Sequence, residues 1–283
     1  MILVDMNQVM IANMMMQIGN HQNAEIDVNM LRHMILNTLR SNRKKFGDEF
    51  GELVICCDDK NYWRREIYPY YKANRKKSRD SSELDWNSIF QALNSIREEL
   101  KVFFPYKVIQ IDTCEADDII GVVVHEEGTE LNSGEPILVL SGDKDYIQLH
   151  KYANVKQYDP VRKRWISNSN PEKYLAEHIL KGDSGDGIPN VLSADNCFVM
   201  GIRQRPVTQK RIAEWSDINN MQDEVKRNYM RNKAMIDLSE VPQGMKDKIL
   251  KAWNEENGKD RSQLLNYFIK NKLRNLMECI TEF

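Results

Sequence analysis

Five short acidic segments spread along the chain hold the residues best suited to catalysis. Three of them stand at, or just beyond, the end of an apolar run rich in β-branched residues. Because the carboxyl ends of parallel strands share one edge of a sheet, side chains placed there converge. Two unit charges about 4 Å apart interact by about 4 kcal/mol at an effective dielectric near 20, so clustered carboxylates require cations. Mg²⁺ or Mn²⁺, which prefer oxygen ligands, would meet that requirement, and the pattern predicts a phosphodiesterase that uses two such ions. The carboxylates are Asp5, Asp58, Glu115, Asp117, Asp118, Asp143, Asp145, Asp183 and Asp186.

Spacing within two of these segments supports convergence. Asp143 and Asp145 lie two residues apart at a strand end and can point to one place. Glu115 and Asp118 lie three apart at the start of a predicted helix and so share a face, with Asp117 beside them. A helix N-terminus also tolerates negative charge. Each motif alone is typical of a solvated turn, and it is their order along the chain that favours a metal site.

A strongly basic segment, residues 60–79, follows the second acidic segment. It has eight Lys or Arg residues against one Glu, interleaved with five Tyr and Trp residues. A basic run alone is usually a solvated helix face, but aromatic rings among the charges suit single-stranded nucleic acid, whose bases stack on them. Pro69 predicts the start of a helix that would set Lys72, Arg75 and Arg79 on one face. The predicted nucleic-acid contacts in this segment are Arg64, Arg65, Tyr71, Lys72, Arg75, Lys76, Lys77 and Arg79.

A glycine-rich hairpin is predicted at residues 181–189. Gly182, Gly185 and Gly187 would let backbone amides approach a phosphate or a cation closely. An ordinary helix–turn–helix corner is the alternative. The five histidines (His21, His33, His125, His150 and His178) are dispersed without metal-ligand spacing, and we expect structural roles for them.

The elements that must position these residues alternate between strand and helix in the first part of the chain. This order predicts an α/β fold, a mainly parallel central sheet flanked by helices. From Pro171 onward the pattern predicts helices only. We therefore expect an α/β catalytic domain at 1–166 and a helical domain, with a helix-hairpin-helix-like motif, at 167–283. The predicted strands are Ile2–Val4, Leu53–Cys57, Val108–Ile111, Ile137–Leu140, and a strand or hairpin at Val155–Tyr158 and Arg164–Ile166.

Composition limits the class of protein. The chain has 283 residues, and its 40 basic and 42 acidic side chains nearly cancel, so net charge does not indicate a partner. Five cysteines without a C-x-x-C pair predict small buried hydrophobes in a reducing compartment. Asp5 interrupts the apolar run at the start of the sequence, so a signal peptide is not predicted. No uncharged run reaches the roughly 18 residues of a membrane span. We expect a cytoplasmic monomer that does not contact a membrane.

The ordered motif set resembles the flap endonuclease / 5′-nuclease family, which includes the 5′-nuclease domain of bacterial DNA polymerase I. The likeness rests on Asp5, Asp58, Glu-Ala-Asp-Asp at 115–118, Ser-x-Asp-x-Asp at 141–145 and Gly-Asp-x-x-Asp at 182–186. Within that family, Tyr-Trp-Arg-Arg at 62–65 and the final Glu-Phe are similar to the T-even phage RNase H branch. The resemblance implies a magnesium-dependent nuclease that trims 5′ ends of RNA–DNA and DNA duplexes, removes lagging-strand primers and cuts 5′ flaps.

The resemblance also implies roles for the site residues. One Mg²⁺ would lie among Asp5, Asp58, Glu115, Asp117, Asp118 and Asp143, and a second among Asp143, Asp145, Asp183 and Asp186. Lys72 and Arg75 would stabilise charge on the phosphate, and Tyr71 would stack on the terminal base. Residues 60–84 would form an arch over single-stranded 5′ ends. DNA and RNA–DNA hybrids are the expected partners, with a phage single-stranded-DNA-binding protein as a further candidate.

Two departures from the family pattern limit what it implies. After the hairpin, residues 190–197 lack the family's second glycine-rich turn, so a potassium-assisted duplex contact is not predicted. The chain starts almost at its first strand, so sliding-clamp contact through an N-terminal extension is not predicted either. The alternative is a non-catalytic branched-DNA-binding protein on the same fold. A PIN-type ribonuclease shares the acidic core but has neither the arch nor the glycine hairpin. A further rival is a haloacid-dehalogenase-type phosphatase. Such a phosphatase requires a second acid two residues after its nucleophile, where this chain has Asn7.

Overall fold

The structure is a computed structural model that describes residues 1–19, 26–130, 134–215, 217–255 and 257–283. His21 lies outside the described residues, and so do the side chains of Lys76 and Lys77.

One six-stranded sheet forms the centre of the molecule, in the order β3-β2-β1-β4-β5-β6. The first five strands are parallel, and β6 pairs antiparallel with β5 as a terminal hairpin. The predicted strands are confirmed within one residue at each end. Their bounds are β1 Ile2–Asp5, β2 Leu53–Cys57, β3 Lys107–Gln110, β4 Ile137–Leu140, β5 Val155–Asp159 and β6 Arg164–Ile166.

Helices cover both faces of the sheet and fill the C-terminal part. In the first part they are α1 Met6–Ile18, α2 Val28–Phe50, α3 Arg64–Ile67, α4 Ala73–Asp80, α5 Trp86–Phe103 and α6 Ala116–Glu127. After the sheet come α7 Pro171–Lys181, α8 Gln209–Glu214, α9 Asp223–Ile236, α10 Gln243–Asn254, α11 Leu264–Lys270 and α12 Arg274–Met277. Short 3-10 helices span Asp145–Lys151, Ile218–Asn220, Leu238–Glu240 and Ile280–Glu282. None of the helices in the described part of the chain is both long and apolar enough to cross a membrane.

Alternation along the buried strands divides the core into two layers. Ile2, Val4 and Ile55 pack on one side of the sheet, with α1, α2 and α5. Leu3 and Cys56 face the other side, with α6. Successive side chains of a strand point to opposite faces, so a strand covered by helices on both faces is apolar throughout.

The C-terminal helices complete both layers of this core. Phe268 of α11 and the final Phe283 pack with the α1, α2 and α5 side, and Ile249 of α10 packs with the α6 side. The predicted division of the chain at residue 167 therefore stays a prediction. Lys272 adopts a left-handed φ of 57° and separates α11 from α12.

Candidate active site

The carboxyl ends of β1, β2 and β4 bring together acidic residues that are far apart in sequence. Asp5 is the last residue of β1, Asp58 follows β2 directly, and Asp143 lies three residues beyond β4. The start of α6 adds Glu115 and Asp117. These five carboxylates and Asp186 line a cleft of about 760 Å³.

Asp5 is fixed by the elements on either side of it. As the residue before α1, it caps the helix by accepting a hydrogen bond from the backbone N–H of Gln8 at 3.1 Å. Its other oxygen accepts from the Ser141 hydroxyl at 3.0 Å, and the same hydroxyl oxygen accepts from the Asp143 N–H. Ser141 thus links the end of β1 to the end of β4, which sets the relative position of the two carboxylates.

Glu115 lies at the bottom of the cleft among three donors. Lys72 pairs with one of its oxygens. The other oxygen accepts from Arg64 Nη1 at 3.0 Å and from the Tyr71 hydroxyl at 2.9 Å. Burial alone would raise the pKa of Glu115, but Lys72 and Arg64 outweigh it and hold the pKa below its usual value. Glu115 therefore stays ionised without added cations.

Asp118 was predicted as a metal ligand, and the structure corrects that prediction. Its side chain is fully buried and turns back on its own helix, where it accepts from the Glu115 N–H at 2.9 Å and from Trp63 Nε1 at 3.0 Å. Arg64 Nη1 lies 2.8 Å from its other oxygen. With Glu115 it forms a reciprocal cap at the start of α6. Asp118 thus positions α6 and Arg64 and does not line the cleft.

The predicted roles of Arg64 and Tyr71 in nucleic-acid contact also require correction. The Arg64 side chain is 3% exposed and holds Glu115 and Asp118 together. The Tyr71 ring is buried in a cluster with Trp63 and Tyr68, and its hydroxyl contacts Glu115 and Asp186. Neither side chain can reach a base or phosphate from this position, since each is enclosed by protein.

Four carboxylates of the site, Asp5, Asp58, Asp117 and Asp145, have raised pKa values. Burial, followed by the nearby charge of Asp143, raises the pKa of Asp5 to about 6 and that of Asp145 to about 8, although Gln8 opposes the shift at Asp5. Burial and then Glu115 raise the pKa of Asp58 to about 7. The pKa of Asp117 is raised by burial, Asp143 and Asp5. Crowded carboxylates in one cleft are the donor set that hard divalent cations take, so these residues fit such ions.

The glycine hairpin carries Asp183 and Asp186 and packs against the basic segment. The backbone N–H of Lys72 donates to the Asp186 carbonyl at 2.8 Å, and Lys72 Nζ lies 3.6 Å from the Asp186 carboxylate. Arg75 forms an ion pair with the same carboxylate. The segment and the hairpin therefore form one wall of the cleft.

At two positions of this hairpin, the backbone conformation and the close neighbours require glycine. Gly182 has a φ of 66°, and a Cβ there would lie 2.4 Å from the carbonyl oxygen of Ile188. Gly187 has a φ of 73° beside the backbone of Tyr70. Gly185, by contrast, is exposed, and a Cβ there would lie 3.1 Å from the flexible carboxylate of Asp183. The helix after the hairpin begins only at Gln209.

The helix predicted from Pro69 begins instead at Ala73. Lys72 precedes it with a φ of 55°, so it does not share a helical face with Arg75 and Arg79. This backbone turn is what directs the Lys72 side chain inward to Glu115. Arg75 keeps half of its side chain exposed, and both it and Arg79 line the cleft.

A second opening of about 490 Å³ lies on the other side of Asp143, lined also by Gly182, Asp183 and His178. Donor atoms of Asp145, His178 and Asp183 all lie within 4.8 Å of one another. The nearby carboxylates of Asp183 and Asp145 raise the pKa of His178, although burial opposes them. His178, for which the sequence analysis expected a structural role, therefore lies with its ring among acidic groups of the site.

The sequence analysis missed other residues that shape the site. Gln8 lines both openings and accepts from the Gly142 N–H at 2.6 Å. The Tyr146 hydroxyl donates to Asp117 at 2.6 Å. The sequence could have indicated Gln8 as a site residue. Asp5 is followed by a helix, and a capping carboxylate lies close to the third residue of its helix, which is Gln8.

The prediction that the cysteines are buried is confirmed for Cys56, Cys57, Cys114 and Cys197, which are free and buried.

Two family models match the chain. One, described as the N-terminal resolvase-like domain of 5′-3′ exonuclease, matches residues 1–179. The other, described as the C-terminal part of T4 RNase H, matches residues 169–283. The chain belongs to the 5′-3′ exonuclease family. It is accordingly a nuclease of the phosphodiester-hydrolase class, and the resemblance predicted from the motif order is confirmed.

Individual members of the 5′-3′ exonuclease family agree with this assignment. The chain is 32% identical to the Ribonuclease H of Enterobacteria phage T4, over 99% of this chain and 95% of that protein. It is 24% identical to a 5′-3′ exonuclease of Buchnera aphidicola, over 69% of this chain and 65% of that protein. The bacteriophage T5 flap endonuclease, solved as a pseudo-enzyme-product complex with DNA and metal ions, shares the fold with a TM-score of 0.62 at 18% identity, over 90% of this chain and 99% of that one.

Proposed function

We propose that this chain is a magnesium-dependent 5′-to-3′ nuclease that removes RNA primers and adjacent DNA from the 5′ ends of duplexes and cleaves 5′ flaps. The observation that carries the proposal is the cleft in which Asp5, Asp58, Glu115, Asp117, Asp143 and Asp186 meet beneath a wall bearing Lys72 and Arg75. Carboxylates would hold the cations, and the basic wall would hold the phosphate. The names of the phage T4 relative and of the phage T5 complex support the substrate class.

Two divalent cations are proposed. Asp5, Asp58, Glu115, Asp117 and Asp143 would hold the first. Asp143, Asp145, Asp183 and Asp186 would hold the second, some of them through water. When bound, such ions lower the pKa of water and stabilise the charge that develops in phosphoryl transfer. The products would be a 5′-phosphate and a 3′-hydroxyl, and no side-chain nucleophile is needed.

Lys72 and Arg75 are proposed to stabilise negative charge on the phosphate. Lys72 is already ionised in the site: burial opposes its charge, but Glu115 and Asp186 outweigh burial and raise its pKa. Arg75 contacts Asp186 with a half-exposed side chain, so it can turn toward a phosphate without losing buried packing. Lys72 and Arg75 would both act from the hairpin side of the cleft.

A neighbouring cavity of about 470 Å³ offers a path for the single-stranded 5′ end. It shares Asp58, Tyr62 and Arg79 with the cleft and extends to Arg65. Arg65 lies 4.9 Å from the centre of the Tyr62 ring, and Arg79 lies 5.8 Å from that of Phe90. Rings paired with guanidinium groups suit stacked bases and their phosphates. We propose that residues 60–84 form the arch over this path, with Lys76 and Lys77 as further phosphate contacts.

The helical part of the chain is proposed to bind duplex DNA without sequence preference, through phosphate contacts at the hairpin backbone around Gly182, Gly185 and Gly187. The setting we propose is lagging-strand replication in the host-cell cytoplasm, with the enzyme as a monomer. A phage single-stranded-DNA-binding protein is the proposed protein partner.

A single assay tests the proposed function. A 5′-labelled flap and a 5′-labelled RNA–DNA hybrid are incubated with the protein in Mg²⁺ or in EDTA. Short 5′ products should form from both substrates in Mg²⁺ only. Asp143→Asn should form none, whereas Asp48→Asn, on the exposed face of α2, should match the wild type. Substrate binding without turnover by the wild-type protein in Mg²⁺ would instead favour a non-catalytic branched-DNA-binding protein.

A further inference from the structure

Asp145, His178 and Asp183 form a mixed nitrogen and oxygen cluster beside the main cleft. His178 Nδ1 lies 3.6 Å from Asp145 Oδ1, and His178 Nε2 lies 3.6 Å from Asp183 Oδ2. Both distances are too long for hydrogen bonds. Two ligands about 2.1 Å from a shared ion are about 3–3.5 Å apart. The separation between His178 Nδ1 and Asp145 Oδ1 is slightly wider than this range, while His178 Nε2 faces Asp183 from the other side of the ring.

The cluster leaves one of its acceptors without a partner. Asp145 Oδ1 is buried and accepts no hydrogen bond from the residues that the structure describes. A buried carboxylate oxygen without a donor is destabilising, and a cation would satisfy it. Asp183 differs, since its Oδ1 already accepts from the Gly185 N–H at 2.7 Å. The unsatisfied oxygen lies on the side of Asp145 that faces the imidazole.

The imidazole is placed by the last turn of α7. The Tyr174 ring packs edge-on against it, with the ring centres 5.7 Å apart. The N–H of Gly182 donates to the His178 carbonyl at 2.8 Å and ends the helix there. His178 also lines the opening of about 490 Å³, through which an ion can enter. A ring held in this way can offer one nitrogen to an ion while the other faces a carboxylate, which is the usual second contact of a metal-bound histidine.

We propose that His178 Nδ1 is a nitrogen ligand of the second cation together with Asp145, while Asp183 faces the other ring nitrogen. The inference rests on the proposed function and adds a ligand to its second site. Imidazole nitrogen favours Mn²⁺, Co²⁺ and Zn²⁺ over Mg²⁺, which prefers oxygen. One of the two sites therefore binds Mn²⁺ more tightly than Mg²⁺, and the all-carboxylate site discriminates less.

Mn²⁺ itself is the probe. Electron spin-echo envelope modulation of the wild-type protein loaded with two equivalents of Mn²⁺ should show ¹⁴N coupling from the imidazole. His178→Gln, checked for folding by circular dichroism, should abolish that coupling. It should also weaken Mn²⁺ binding at one of two sites by about tenfold or more, since loss of even an outer-shell partner commonly costs about 10- to 100-fold. His33→Gln, on α2, is the matched control and should keep both properties.

Two results would overturn the inference. One is a wild-type protein that binds Mn²⁺ without any ¹⁴N coupling. The other is a His178→Lys variant that binds Mn²⁺ at both sites as tightly as the wild type, since lysine could replace the histidine only as a positive charge between the two carboxylates. Either leaves the proposed nuclease function in place. A wild-type protein that binds no Mn²⁺ and cleaves nothing would defeat both proposals together.

Discussion

Raising the pH of the metal-free protein from 6 to 8 should destabilise it. In the unfolded chain the carboxyls of Asp5, Asp58 and Asp145 titrate near pH 4. In the fold, burial and neighbouring carboxylates raise their pKa values to about 6, 7 and 8. The native state thus binds more protons than the unfolded state above pH 4, so stability falls as the pH rises toward these folded values. His178, whose pKa is also raised, contributes in the same direction.

The size of this effect follows from the pKa values. Between pH 6 and pH 8 the titration of Asp145 costs about 2 kcal/mol and that of Asp58 about 1–1.5 kcal/mol, while Asp5, which is about half ionised at pH 6, adds a few tenths. The total for these three carboxyls is about 4 kcal/mol. For a chain of this size, a loss of that order lowers Tm by roughly 8–16 °C. Divalent cations that neutralise the carboxylates should remove most of the loss.

Thermal unfolding in EDTA and in Mg²⁺, followed by circular dichroism at pH 6 and pH 8, measures both effects. Asp145→Asn should remove about half of the pH dependence in EDTA, because Asp145 contributes the largest of these three losses. Asp48→Asn, exposed on α2, should leave the dependence unchanged. A metal-free wild-type protein whose Tm is constant or rises between pH 6 and pH 8 would refute the assignment of these carboxylates to one crowded, buried site.

Four further outcomes are expected. Asp143→Asn should lower cleavage by at least about 100-fold while DNA binding persists or tightens; activity within tenfold of wild type at saturating Mg²⁺ would contradict its place in the site. Arg75→Ala should lower the single-turnover rate by about 10²–10³-fold with little change in Kd, as measured by rapid quench. Lys76→Ala should reduce the slope of log binding constant against log salt by about 0.7–0.9, and an unchanged slope would exclude a phosphate contact. Gly182→Ala should lower Tm clearly because of the backbone clash at Ile188, whereas Gly185→Ala should not.

The position of the site was predictable because it follows from chain connectivity. Strand ends can be identified from apolar runs, and a parallel sheet brings such ends to one edge whatever lies between them. Asp5, Asp58 and Asp143 are placed in this way and line the observed cleft. The prediction required only the strand bounds, which the sequence defines to within one residue.

Side-chain direction within the site was not predictable in the same way. Glu115, Asp117 and Asp118 occupy the first turn of one helix start, and spacing alone made all three candidates for the cleft. Asp118 turns away because Trp63 and Arg64, more than 50 residues earlier in the chain, place donors beside it. A local pattern contains no information about donors that arrive from a distant segment.

Folding of the basic segment explains why two of its predicted nucleic-acid contacts are buried. Arg64 and Tyr71 were candidates because basic and aromatic residues alternate there, yet a carboxylate such as Glu115 needs buried donors before any cation is bound. Arg64, Tyr71 and Lys72 provide them, and the left-handed φ of Lys72 turns the chain so that the next residues can face solvent. The segment therefore contains an inner set, Arg64, Tyr71 and Lys72, that stabilises the acidic site, and an outer set, Arg75 and Arg79, that lines the cleft with less buried side chains. Substitutions in the inner set should lower stability and activity together, whereas those in the outer set should lower activity or affinity alone.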